Sequence, residues 1–547
     1  MPDDDPADLA LLGGSLLTIA PAGGRAAALA VRQGRITAVG SDDAVRQYIG
    51  PKTRVVELAG RTVLPGFQDA HVHPIEAGLE ALRCSLHEHR GLDAYLAAIK
   101  EYAARRPDAE WITGGGWSLD DFPGGTPRAE DLDLVIADRP TFLPNRDGHG
   151  AWVNSLALER AGITAETPDP PDGRIERNPD GSPSGTLHEG AAGLVERLIP
   201  KDTEAEMLDA LAWAQAELHR LGITAWQDAW VLRDMIDVYR RFAEQGGLTA
   251  RVIGAHWWDR TRGPEQMEPW LAIRQEGALG RFTVTSVKLM LDGIAENFTA
   301  AMSEPYLDGD ENETTNSGID FIAPDVLADA VTRIDALAFQ PHFHAIGDRA
   351  VHNALDAVAA ARAANGPSDT RPHVAHIQVI HPDDIGRFGP LGMVANAQPY
   401  WAVHEGQMDR LTIPFLGAER STWQYPFGSL LRAGARLAMG SDWSVSTADP
   451  LVQMEVAINR VSDLHRDHRP FLPDERLTLD QALAAFTIGS AYVNHLDEDT
   501  GTLEAGKLAD MVVLDRDITS PDAGPLGDAR VIATFVEGEA VYDALPA

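Results

Sequence analysis

The run VLPGFQDAHVHP, residues 63–74, decides how the rest of this chain is read, because it is an apolar strand that ends in two histidines one residue apart. Side chains two apart on a strand leave the same face, so His71 and His73 aim their imidazoles at one point. Imidazole is the commonest protein ligand of zinc and similar ions, and a catalytic site needs about three or four such ligands with one position left open for water. An isolated His-x-His pair is more often a packing or surface feature. The setting raises this one: Pro65 and Gly66 turn the chain into the strand, Asp69 precedes the pair, and partners of matching chemistry recur downstream.

Outward from this stretch, from residue 65 to about 493, strand-like runs alternate with amphipathic segments such as DVLADAVTRIDALA and RAVHNALDAVAAARAA. That alternation points to parallel β/α architecture. Eight strand runs can be counted, at 63–73, 222–231, 248–258, 282–293, 339–348, 373–380, 393–401 and 436–443. Eight parallel strands with helices between them predict a TIM (β/α)8 barrel, whose catalytic residues stand at the carboxyl ends of different strands. The interval of about 75–200 is too long for a loop and is expected to form an inserted α/β subdomain. Its Gly114-Gly115-Gly116 run lacks the ending of a phosphate loop and reads as a tight turn that presents Trp117. Residues 1–64 and 494–547 both read as short strands with glycine turns, which predicts one small β-sandwich built from both termini.

At 547 residues the chain exceeds one ordinary core, and 44% hydrophobic with 23% charged residues is a globular composition. The 46 basic against 82 acidic residues give a net charge of −36, which repels phosphate backbones and anionic membranes. Neither nucleic acid nor a membrane is therefore an expected partner. The single cysteine, Cys84, cannot form an intrachain disulfide and reads as a packed thiol. The amino-terminal MPDDDPADLALLGG is acidic where a secretory signal would be basic, and no apolar run approaches the ~18 residues of a membrane span. The expected location is the cytoplasm.

The strand ends supply the candidate chemistry. Lys288 stands alone in the apolar run SVKLMLDG, and a buried lysine needs a partner, either Asp292 or, after reaction with CO₂, a pair of metal ions. His342 and His344 share one face of the fifth strand, with His342 deeper in the barrel interior. On the sixth strand, alternation puts His376 on the opposite face from His373 and His381, and His376 is preferred for its place in the VAHIQ run. The eighth strand ends in Gly440-Ser441-Asp442-Trp443, where a carboxylate on a small-residue turn can reach a metal or its water.

The stretches LPGFQDAHVHP, GGGWSLDDFPGGTPRAEDLD, DGHGAWVNSLAL, VKLMLDG, HFHAIGDRAV, HIQVIHPDD, GSDWSVSTADPL and TGTLEAGKLADMVVLD, in this order, resemble the amidohydrolase superfamily. The likeness is closest to its amidohydrolase-3 branch of YtcJ-like proteins and N-substituted formamide deformylases. The resemblance implies a metal-dependent hydrolase of C–N bonds other than peptide bonds, with zinc as two divalent ions per chain. It implies the ligands His71, His73, a carboxylated Lys288, His344, His376 and Asp442, and a His149 that looks into the site from the inserted subdomain. In such a site the metals acidify a water, Asp442 takes its proton and passes it to the leaving amine, and His149 polarises the carbonyl. Asp348 and Gln378 are candidates for orienting the ligand shell. Two other classes compete: a mononuclear ring deaminase of the same superfamily, and a non-catalytic regulatory protein.

Aromatic residues near strand ends suit an apolar substituent on a small-molecule substrate. The expected substrate contacts are Trp117, Asp121, His149, Trp258, Tyr400 and Trp443. Only Arg146 and Arg349 stand where a substrate carboxylate could be paired, so a neutral N-substituted amide or formamide is expected ahead of an acyl-amino acid. A homodimer is allowed for.

Overall fold

Eight parallel strands in sequence order form the central sheet of the structure, a computed structural model that describes residues 5–20 and 23–546. They are β1 (Phe67–Val72), β2 (Ile223–Val231), β3 (Arg251–Trp257), β4 (Phe282–Met290), β5 (Gln340–Ala345), β6 (His373–His376), β7 (Val394–Ala397) and β8 (Arg436–Met439). Backbone bonds from Asp442 N to His71 O (2.8 Å) and from His73 N to Trp443 O (3.0 Å) bring the last strand back to the first and close the barrel. Residues 1–4 of the acidic amino-terminal stretch lie outside the described residues.

The strands are buried on both faces, as parallel barrel strands must be, and β1 and β5 are buried along their whole length. Helices cover the outside. The one at Glu204–Arg220 starts on a capping box of Thr203 and Glu206 and packs Met207, Leu211 and Leu218 inward. Register places functional chemistry in layers: Lys288 lies opposite His342, and His342 opposite His373. Such layers of inward side chains fill a barrel of this size.

Between β1 and β2 an inserted unit forms its own six-stranded sheet, in the order Gly173–Arg177, Pro183–Glu189, Gly150–Val153, Thr141–Pro144, Ile112–Gly115 and Cys84–Ser85. Its core holds Tyr95, Ile99, Trp117 and Trp152. Cys84 is buried there, and burial pushes its thiol up to about 12.

The two ends of the chain meet in a β-sandwich. One sheet is wholly amino-terminal (Arg35–Gly40, Ala28–Arg32, Leu9–Leu12, Arg54–Glu57). In the other, Thr62–Pro65 runs between Ser15–Leu17 and Met511–Leu514, with Val63 opposite Val513. The first part of the 63–74 run thus belongs to the sandwich, and only Gly66 separates it from β1. A Cβ at Gly66 would stand 2.5 Å from the Thr224 side chain, so the joint requires glycine. Arg251 of β3, 7% exposed, locks barrel to sandwich by pairing with Asp510 and Glu537. Among the described residues no helix is long and apolar enough to cross a membrane.

Candidate metal centre

At the carboxyl end of the barrel, His71, His73 and Asp442 each bring one potential ligand atom to within 4.8 Å of the others. Asp442 is the hub. Its Oδ1 lies 3.1 Å from His71 Nε2 and 3.2 Å from His73 Nε2, while its Oδ2 lies 3.9 Å from His376 Nδ1. Lys288 Nζ stands 3.4 Å from His71 Nε2. The His71 and His376 rings are 4.8 Å apart, and the His376 and His344 rings 4.5 Å. Residues from strands one, four, five, six and eight therefore stand together at this end of the barrel, with His71, His73 and Asp442 in the tightest group.

Local backbone explains how. His73 lies outside β1 as the residue before helix Pro74–Leu82, with φ −125° and ψ 70°, yet still turns its ring to Asp442. His376 (φ 77°), Ile377 (φ 44°) and Asp442 (φ 54°) are left-handed, a conformation that L-residues hold only when their surroundings enforce it. The alternation argument for the sixth strand consequently fails. Both His373, whose ring lies 3.9 Å from that of His342, and His376 face the barrel interior, because the left-handed turn at His376 breaks the period of two.

Electrostatics follow from burial. Burial pushes the Asp442 carboxyl up, but His71, His73 and His376 outweigh it and hold the group well below the usual carboxylate range. Burial, helped by Lys288, lowers His71 to about 3, which keeps its imidazole neutral. Burial also works on His73, but Asp442 and Glu76 prevail and raise it to about 10, so this carboxylate pair draws positive charge into the pocket. Burial depresses the Lys288 amine to about 8 against the pull of Asp442 and Glu76. A neutral fraction of that amine is the form that reacts with CO₂.

The donor set fits divalent metal. Nitrogen and oxygen ligands converge on one point, and His376 Nδ1 is buried with no hydrogen-bond partner among the described residues. His344 turns its Nε2 to Gly293 O at 3.3 Å, with Asp292 Oδ1 at 3.7 Å, and so leaves Nδ1 for the site. Asp292 in turn accepts the backbone N–H groups of Ala301, Ile346 and Gly347, so it is not the partner of Lys288. Asp69 accepts from His71 N and Ser441 N and ties β1 to the β8 turn.

His149 reaches the centre from the inserted unit, its ring 5.2 Å from His344. Glu189 holds its Nδ1 (3.0 and 3.1 Å) and also accepts from Asn297 and Thr299. Sequence reasoning misses Glu189 and Glu76 as supports, because only the fold shows what their carboxylates touch; for Asp69 the one available hint is its position two before His71.

Four expected substrate contacts fall elsewhere. Trp117 is wholly buried between Phe122 and Trp152 and donates to Leu143 O, because the glycine run turns it into the core. Asp121 is occupied by the Tyr95 hydroxyl and Gly91 N. Trp258, 4% exposed, packs on Trp270. Tyr400 points toward Asp463 and Glu405, and it is Trp401 that stacks on His376 at 5.5 Å. Trp443 follows Asp442 and stacks on Trp213 at 5.8 Å. Asp348 accepts from Ser303 N and Gln378 donates to Gln424, so these side chains are engaged away from the histidine cluster. Arg146 donates to His87 O and Arg349 pairs with Asp320.

A mixed nitrogen and oxygen cluster at the carboxyl mouth of a (β/α)8 barrel joined to a two-ended sandwich defines a metal-dependent hydrolase class. Residues 54–542 match the Amidohydrolase family, and the chain belongs to it. It is 32% identical to Protein LONG AFTER FAR-RED 3 of Arabidopsis thaliana, over 98% of this chain and 92% of that one. It is 28% identical to the N-substituted formamide deformylase of Arthrobacter pascens, over 98% of each. Among solved structures it resembles an uncharacterized metal-dependent hydrolase from Pyrococcus furiosus, with a TM-score of 0.71 and 26% identity over 93% of this chain and 99% of that one.

Proposed function

We propose that the chain hydrolyses the C–N bond of a small, neutral N-substituted amide or formamide bearing an apolar group. The observation that carries this reading is the convergence of His71, His73 and Asp442 on one point with Lys288 against them. His71, His73, His344, His376 and Asp442 would hold zinc or a similar ion, and Lys288, carboxylated by CO₂, would bridge a second. When bound, such ions supply Lewis acidity and lower the pKa of a water from 15.7 toward about 7.

The chain's own groups do the rest. Asp442, kept ionised by its histidines, takes the water proton and returns it to the leaving nitrogen. His149, its Nδ1 held by Glu189, presents Nε2 to the substrate carbonyl. Trp401 offers an apolar wall beside His376, and both arginines near the mouth are engaged elsewhere, which favours a neutral substrate. The similarity to a formamide deformylase agrees with this class.

Zinc per chain, measured with turnover of matched N-benzyl formamides and N-acyl amino acids, tests the reading. About two ions with preference for the neutral panel is expected. A clear preference for the anionic panel overturns the substrate, and one ion with ring-deaminating activity overturns the reaction.

A further inference from the structure

Beneath the metal centre the barrel is filled by a polar network that the hydrolytic mechanism does not use. His71 Nδ1 lies 2.8 Å from His342 Nε2, and the His342 ring lies against that of His373. His373 is fixed at both nitrogens: Nε2 meets Gln227 Oε1 at 3.0 Å, and Nδ1 meets Asn396 Nδ2 at 3.2 Å. The second Asn396 N–H goes to Ala70 O, and its Oδ1 accepts from Gln398 Nε2 at 3.1 Å. Gln398 Oε1 then accepts the backbone N–H of His376 at 2.6 Å. One buried web thus reaches ligand histidines on both β1 and β6.

Proton bookkeeping leaves a single open assignment. Asn396 Nδ2 can only donate, so His373 accepts at Nδ1 and donates from Nε2 to Gln227. His71 Nε2 faces Asp442 and Lys288, so its lone pair serves the site only if the ring proton sits on Nδ1. That proton must then be donated to His342 Nε2, which must be an unprotonated acceptor. The His342 proton is therefore on Nδ1, a buried atom with no partner among the described residues. A ligand histidine is usually oriented by a carboxylate or a backbone carbonyl. Here the acceptor is a second, fully buried imidazole that leaves its single N–H donor unmatched.

On the reading of His71 as a ligand set out above, we propose that His342 is a positioning residue that presents Nε2 of His71 to the metal by accepting the proton of Nδ1. His373, its ring tilted 39° against that of His342 at 3.9 Å and fixed at both nitrogens, limits the movement of that acceptor. The unmatched Nδ1 donor is the local cost of an acceptor that carries no charge into the barrel core.

The test uses the full-length, zinc-loaded chain labelled with nitrogen-15 at histidine rings, with signals assigned by the single substitutions H71A and H342Q. Protonated Nδ1 and unprotonated Nε2 at His342 are expected. His342→Phe keeps a ring against His373 but removes the acceptor, and zinc affinity in chelator competition is expected to fall about 10- to 100-fold. His342→Gln, which restores an acceptor oxygen, is expected to recover most of it. Should the His342→Phe chain fail to fold, the nitrogen-15 spectrum of the unsubstituted protein and the His342→Gln affinity still decide. A zinc-loaded protein with the proton on His342 Nε2, or a folded His342→Phe chain of native affinity, overturns the role of His342 alone. A native chain that takes up no zinc, or an H71A chain that loses none, overturns the ligand reading together with it.

Discussion

Asp442→Asn separates chemistry from metal holding more cleanly than any other change at the site. Asp442 sits at φ 54°, where asparagine is as comfortable as aspartate and alanine is strained. The substituted amide keeps an oxygen that can replace Oδ1 at 3.1 Å from His71 and 3.2 Å from His73. What it loses is the ability to take a proton, which the native carboxylate keeps because its histidines outweigh burial and hold it ionised. Positioned general acid–base groups contribute about 10²- to 10⁴-fold, or about 3–5 kcal/mol of barrier. The expected result is a kcat lower by about that factor, with KM changed only a few-fold and zinc retained at least in part. Steady-state kinetics on the best N-substituted formamide, with zinc measured on the same sample, would show it. A variant that keeps kcat within about tenfold of native at equal zinc content would refute the proton-transfer role.

Lys288→Ala is expected to lose metal and activity together, with partial return on adding short carboxylic acids that fill the bridge; full activity with both ions retained removes the carboxylated-lysine assignment. Because burial lowers the Lys288 amine from 10.5 to about 8, its neutral form grows as pH rises through about 8. Bicarbonate-dependent reactivation of metal-depleted protein by added zinc should therefore increase from about pH 7 to about pH 9, and a flat response would contradict it. Arg251→Ala strands the buried Asp510 and should cost about 3–5 kcal/mol in chemical denaturation, even though Arg281 still reaches Glu537 at 2.9 Å; a loss below about 1 kcal/mol would show the joint to be incidental. Trp117→Ala should cost about 3–5 kcal/mol of stability and leave KM unchanged, whereas a raised KM would return Trp117 to the substrate.

The barrel was legible because its strands are apolar runs at regular spacing, and the ligand types were legible because histidine and lysine are conspicuous inside such runs. Periodicity carries face information only while backbone stays regular. At His376 it does not, and there alternation separates His373 from His376 although both rings stand in the barrel interior. The supports were less visible. Glu189 and Asn297 come from separate parts of the chain and come together beside His149, and no spacing rule links them. Two aromatic contacts misled for a simpler reason, since tryptophan is as useful to a core as to a pocket: Trp117 and Trp258 proved to be core, and Trp401 is the ring beside His376.

The strand Thr62–Pro65 pairs Val63 with Val513, 513 − 63 = 450 residues later. On a ribosome adding about 5–20 residues per second, that partner arrives about 20 to 90 s after the strand itself has been made. Only Gly66 lies between this waiting strand and the one that carries His71. The nascent chain therefore spends most of its synthesis with an open sheet edge beside two of the six proposed metal ligands, and the sandwich can be completed only when translation is nearly finished.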